Sequence, residues 1–150
     1  MADPREQILG RVETILDGVA GVTKAGRNLF NLDPASDLPS AVVFDGDEEV
    51  QERGSGKGRP PGAPKVVVMT PTVVIAVAGP PETIGPDCRA LLAKVIKAIE
   101  GDATLAGYVV DGEMGYEGCN VTILTDGSYY IAQTDAVFAF TYRLLASSVA

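Results

Sequence analysis

Hydrophobic positions recur along this chain with two different periods. Ile8, Val12, Ile15, Leu16 and Val19 fall on one side of a helix, with the spacing of an element that lies on a core. Asp3 is a good side-chain cap and Pro4 a good first helical residue, and Gly18 or Gly21 ends the segment. Cys88, Leu91, Leu92, Val95, Ile96 and Ile99 make a second helical stripe. That helix is predicted to start near Gly85-Pro86 and to stop at Gly101, with Asp102 capping a further turn through Leu105.

Elsewhere the period is that of strands. Val22 to Leu29 reads as a short strand, followed by a loop holding Asp33-Pro34 and Leu38-Pro39. Ala41 to Phe44 is a compact second strand, and Lys65 to Ala78 a third, broken by Pro71 in a way that suits an edge or a bulge. Residues 109–118 read as turns. Val121 to Leu124 and Thr134 to Leu145 read as two closing strands joined at Asp126-Gly127. The order predicts one α+β domain over residues 1–150, with a mostly antiparallel sheet and both helices on one face.

That arrangement leaves apolar residues without cover. In residues 65–78, Val66, Val68, Val74 and Ala76 point one way, and Val67, Met69, Val73, Ile75 and Val77 the other. The last strand alternates Ala136, Phe138, Phe140, Tyr142 and Leu144 with Val137, Ala139 and Leu145. Two helices of about four turns cover one face of such a sheet and hardly both. An uncovered apolar face is an interaction surface, so the sequence predicts self-assembly, with Val66, Val68, Val74, Val137 and Leu145 as candidate interface residues.

Charge and composition narrow the function. The 150 residues carry a net charge of −8, which argues against nucleic acid and anionic membranes as partners. The start MADPREQIL lacks a basic segment followed by an apolar run, so no signal peptide is expected and the chain is expected to act in the cytoplasm. Histidine is absent, which removes imidazole bases and the commonest metal ligand. Cys88 and Cys119 are expected to be free thiols, and neither a metal nor a cofactor is expected.

Individual motifs fail on inspection. In Gly54-Ser55-Gly56-Lys57-Gly58, Gln51 stands where a phosphate loop needs its first glycine and Gly58 where it needs a hydroxyl. Asp45-Gly46-Asp47-Glu48-Glu49 resembles a calcium loop, yet Val50 replaces the turn glycine and Gly56 the bidentate glutamate. Cys88 lies on an apolar stripe with no partner base and reads as core. The sequon at Asn120 has no meaning without secretion. Asp111, Glu113 and Glu117 are the carboxylates that an enzymatic or ligand-binding pocket would use. Tyr129-Tyr130 reads as a sheet border.

The segment 46–64 is expected to be a long mobile hairpin excursion. Its acids, Asp47, Glu48, Glu49 and Glu52, precede its bases, Arg53, Lys57 and Arg59, with glycines and prolines between Gly54 and Pro64. Two readings of it stand side by side, a contact element and a tolerated surface insertion.

Taken together, several stretches resemble the tail-terminator or minor tail proteins of long-tailed phages and of related gene transfer agents. These are REQILGRVETIL followed by GV, Arg27-Asn28, PSAVVFDGDEE before a charged loop, and the strand opening Met69-Thr70-Pro71. IGPDCRALLAKVIKAI with DATLAG, Tyr116-Glu117-Gly118 and the closing FAFTYRL complete the likeness, which covers most of the chain. The resemblance implies a mixed α/β subunit that forms a hexameric ring. Such a ring caps the head-proximal end of a tail tube, ends its polymerisation and joins it to a head connector. In that setting Asp47, Glu48, Glu49, Glu52, Arg53, Lys57 and Arg59 are candidate contacts to a tube or neck protein. The resemblance further implies residence first in the host cytoplasm and then in the particle. A tail-completion or neck connector role is the near alternative, and a small enzyme or ligand-binding domain the distant one.

Overall fold

In a computed structural model, residues 3–51, 64–126 and 129–144 are described. Helix α1 spans Pro4–Asp17, β1 Lys24–Arg27, β2 Ser40–Gln51, β3 Lys65–Gly79, α2 Pro81–Glu100, α3 Ala103–Tyr108, β4 Met114–Asp126 and β5 Tyr129–Leu144. The strands form one sheet in the order β1-β2-β3-β5-β4, antiparallel throughout except for the β1–β2 pair. The fold is α+β, with a mostly antiparallel sheet and two main helices.

The starts of α1 and α3 and the end of α1 follow local chemistry. The Asp3 carboxylate accepts from the Arg5 amide at 3.0 Å, and Gly18 closes α1 with its N–H on Ile15. Helix α2 begins four residues earlier than the sequence predicts, at Pro81, and carries Pro86 inside it. Pro86 is exposed and close to the N-terminal end, where a missing N–H breaks little of the ladder. Asp102 caps α3 by accepting from the Leu105 amide at 2.9 Å.

Helix α1 packs on β1 and β2, and α2 packs on β3 and β5, so both main helices lie on the same face of the sheet. Beneath them Val67, Met69, Val73, Ile75, Ala136, Phe138, Phe140 and Tyr142 are buried together with Ile8, Leu16, Val95 and Ile99. Cys88 belongs to this core, its Sγ 3.1 Å from Thr134 Oγ1.

Two sequence expectations need correction, and a third is narrowed. The acidic stretch after Phe44 is not a loop: Asp47 to Gln51 continue β2 and pair with Val66 to Thr70. Residues 109–118 are not all turn, since β4 begins at Met114 and pairs with β5 from there. At Pro71 the bulge alternative holds and the edge alternative does not: β3 is a central strand, and the proline is accommodated by a bulge in β2. Between Phe44 and Asp47 the β2 register shifts, so Asp45 and Gly46 face Pro71, which has no N–H to give to the ladder. Gly46 is needed there because a Cβ would lie 1.8 Å from the Thr70 carbonyl oxygen. The predicted turn at Gly127 and the remainder of the 46–64 excursion, residues 52–63, lie outside the described residues.

Candidate functional site

Residues directly opposite one another in a sheet share a face, and the register therefore defines the side away from the helices. Glu49, Val68 and Thr141 make one row across it, Phe44, Thr72 and Val137 a second, and Val42, Val74 and Asp135 a third. These positions hold small or β-branched residues in the centre, and Val68, Thr70, Thr72, Val74, Val137 and Ala139 are half-buried. Of the candidate interface residues, Val66, Val68, Val74 and Val137 all fall on this open face, Val66 being buried at 8% exposure. Leu145 lies outside the described residues.

The open face divides into two zones. One is flat, with Asp47 and Glu49 exposed on the β2 side, Glu117 exposed on β4 and Arg143 exposed on β5. The other is covered in part by residues 28–39, which leave the end of β1 and cross back to the start of β2. Asn28 anchors this crossing: its N–H donates to the Val43 carbonyl at 2.8 Å, and its side-chain oxygen accepts from the Asp45 amide at 3.1 Å. Beneath the crossing lies a cleft of about 550 Å³, walled by Leu29, Phe30, Leu32 and Leu38 and floored by Val42, Val74 and Ile131. Phe30 is 73% exposed at its rim and stacks at a tilt on Phe44, ring centres 5.0 Å apart. Asp135 and Gln133 supply the polar end, joined by a 3.1 Å hydrogen bond.

Sequence reasoning missed this cleft because it treated 28–39 as a connection. The signal was the apolar content of that loop, since Leu29, Phe30, Leu32 and Leu38 in a solvated connection need something to cover.

The bulge at Gly46 also redirects charge. Before it Val43 faces the helices; after it Glu48 does, opposite Met69. Glu48 accepts a short hydrogen bond from the Tyr142 hydroxyl and lies 3.6 Å from the Arg5 guanidinium. Burial, and then the bond to Glu48, push the Tyr142 phenol well above its usual range. Glu48 is thus held inward, while its neighbours Asp47 and Glu49 point to the open face. The other candidate contacts, Glu52, Arg53, Lys57 and Arg59, lie outside the described residues.

A second charge cluster ties α1 to the bulge. Arg27 donates to Asp45 at 2.8 Å and also to Glu6. The guanidinium hydrogen bonds hold both carboxyls below their ordinary range. Arg11 makes a fork to Asp102 at 2.8 and 3.0 Å, and this hydrogen bonding likewise lowers the Asp102 carboxyl. These are structural ties with internal partners: Arg27 fixes α1 to β1 and β2, and the Arg11–Asp102 fork fixes α1 to the start of α3.

The three carboxylates considered for a pocket are not brought to one place. Glu113 and Glu117 line a depression of about 240 Å³ with Ala139 and Thr141. Asp111 lines a separate one with Tyr108 and Arg143. Tyr130 is half-buried and packed against the core, as a sheet-border residue. Among the described residues no group of three metal-ligating side chains is assembled, and no helix is long and apolar enough to cross a membrane. No protein-family model and no curated protein matches the chain.

Proposed function

We propose that the protein is a ring-forming structural subunit of a phage-type tail, a tail terminator that caps the head-proximal end of the tube and presents the joining surface for a connector. The observation that carries this reading is that α1 and α2 share one face, leaving a half-buried apolar surface on β3 and β5. Six copies in a closed ring would bury that surface through heterologous contacts, each copy giving one patch and receiving another. The sequence resemblance to tail terminators supplies the particle and the tube. The carboxylates on the flat zone, Asp47, Glu49 and Glu117, favour partners with basic rims, and they act by steering and register more than by raw affinity. In this reading the protein is not an enzyme and needs no cofactor; it acts in the host cytoplasm and then in the particle.

The test is native mass combined with negative-stain imaging of the purified protein, alone and with tail tubes. A closed ring of six with an axial hole is the expected outcome. Val137→Asp, which places a charge in the centre of the open face, is expected to leave the fold intact and abolish the ring. Rings that persist unchanged in Val137→Asp would show that this face is not the subunit contact.

One observation favours a second reading. The cleft beneath residues 28–39 has the volume and apolar lining of a small-molecule site. A monomer that binds an apolar ligand there, with loss of binding in Val74→Arg, would point to a ligand-binding domain.

A further inference from the structure

Strand β4 is the long free edge of the sheet, and its two halves are treated differently. In the first half the Tyr116 amide donates to the Glu100 carboxylate at 3.0 Å, Glu117 adds a charge, and Gly118, at φ +136°, breaks the register. Those are the devices by which proteins close an edge to foreign strands. The second half has none. Gly118 to Thr125 contain no charge and no proline. Every residue from Cys119 to Thr125 is exposed, so neither face of this stretch is covered. Val121, Ile123 and Leu124 are 59%, 51% and 47% exposed, three of the five large hydrophobic residues left open among the described residues. Beyond the ladder to β5, a side-chain hydrogen bond between Cys119 and Tyr116 ties the proximal end of this stretch to the first half of the strand.

We propose that the distal half of β4 is a pairing edge for a second copy of this chain, joined as an antiparallel β4–β4 ladder with its two-fold axis at Thr122. The stretch is self-complementary in that register. Val121 meets the partner's Ile123 and Ile123 the partner's Val121, so four apolar side chains close over one face. On the other face Asn120 meets the partner's Leu124, and Cys119 meets the partner's Thr125 on the Val121 side. Charge selects the same occupant. In a chain of net charge −8, a two-fold contact through the flat zone would bring Asp47, Glu49 and Glu117 of both copies together. The stretch from Cys119 to Thr125 brings no acid into the ladder itself, the nearest, Glu117 and Asp126, lying beyond its ends. Unlike the ring contact, this contact uses backbone groups and the side chains of β4, so it stands or falls separately. A ladder of this length buries less than a standard interface, and the pair is expected to dissociate in the micromolar range.

The full chain carrying Cys119→Ser and Thr122→Cys tests the register. Residue 122 faces itself across the axis, and directly opposed Cβ atoms approach closely enough for a disulfide. Mild oxidation is expected to give a reducible dimer, whereas Glu49→Cys in the same Cys119→Ser background is expected to give little. Sedimentation of the Val121→Lys/Ile123→Lys variant is expected to show a monomer with an unchanged circular dichroism spectrum, while Val137→Asp keeps the pair. A wild-type monomer at several hundred micromolar would overturn the proposal. So would association unchanged by the two lysines, or cross-linking as efficient through residue 49 as through residue 122. Because the cross-link needs no destabilising substitution, a lysine variant that misfolds leaves the test intact.

Discussion

The two faces of the central sheet are built from alternate residues of the same strands, yet only one of them is a core. Phe138 and Phe140 are fully buried on the helix side of the sheet, while their chain neighbours Val137 and Ala139 are half-buried on the other side. Hydrophobicity alone does not separate the two sets, since Val66, Val68 and Val74 on the open face are as apolar as Val67 and Val73 on the covered one. Size does. On β3 and β5 the covered face gathers Phe138, Phe140, Met69 and Tyr142, which fill the depth between helix and sheet. At the centre of the open face, from Val68 to Val74 and from Val137 to Thr141, these strands keep to valine, threonine and alanine around Pro71, which suit a flat surface that another molecule can approach.

The largest effects expected from breaking this contrast lie on the covered side. Phe138→Ala removes a ring at the centre of the core and is expected to cost about 3–5 kcal/mol, measured by urea denaturation. Val137→Ala, one residue away, is expected to cost less than about 1 kcal/mol and to show its effect in assembly instead. Equal costs at the two positions would mean that the open face is packed in the isolated subunit.

The bulge is the next lever. Gly46→Ala forces a Cβ against the Thr70 carbonyl and must shift backbone, since no flexible side chain stands there to give way. A loss of about 1–3 kcal/mol is expected by analogy with overpacking. It would be accompanied by a weakened contact between Tyr142 and Glu48, visible as a downward shift in the tyrosine titration. A neutral Gly46→Ala would show that β2 reaches its inward-facing Glu48 by another route.

The smallest effect concerns the tie that holds α1 to the start of α3. Hydrogen bonding to Arg11 holds the Asp102 carboxyl below its ordinary value of 3.8. The stabilisation is therefore present above that value and is lost as pH falls through the lower folded-state value. Wild-type stability is expected to fall more steeply than that of Asp102→Asn between about pH 4 and about pH 2. Parallel curves would show that the Arg11 pair contributes nothing at this partly exposed site, where solvent screening limits it.

Much of the fold was legible in the chain. The stripes of α1 and α2, the caps at Asp3 and Asp102, and the placing of both helices on one side follow from apolar spacing and from how much surface two helices can cover. The errors share one cause. Asp47 to Gln51 and residues 114–118 read as loops because charge and glycine suggest turns, whereas β3 and β5 offered them ladder partners. Pairing across a sheet is a non-local gain that overrides local preference. The candidate site was half legible: the valines of the open face were named, and the cleft under residues 28–39 was not.

The sequence by itself determined which residues are apolar, where α1 starts and where α1 and α2 stop, that imidazole chemistry is absent, and that one sheet face must go without a helix. Only the tertiary structure decided that Glu48 turns inward while Asp47 and Glu49 turn out, and that the distal half of β4 stands bare. The first group depends on neighbours along the chain within a few residues. The second depends on register, and a single extra residue opposite Pro71 is enough to exchange the two faces of a strand.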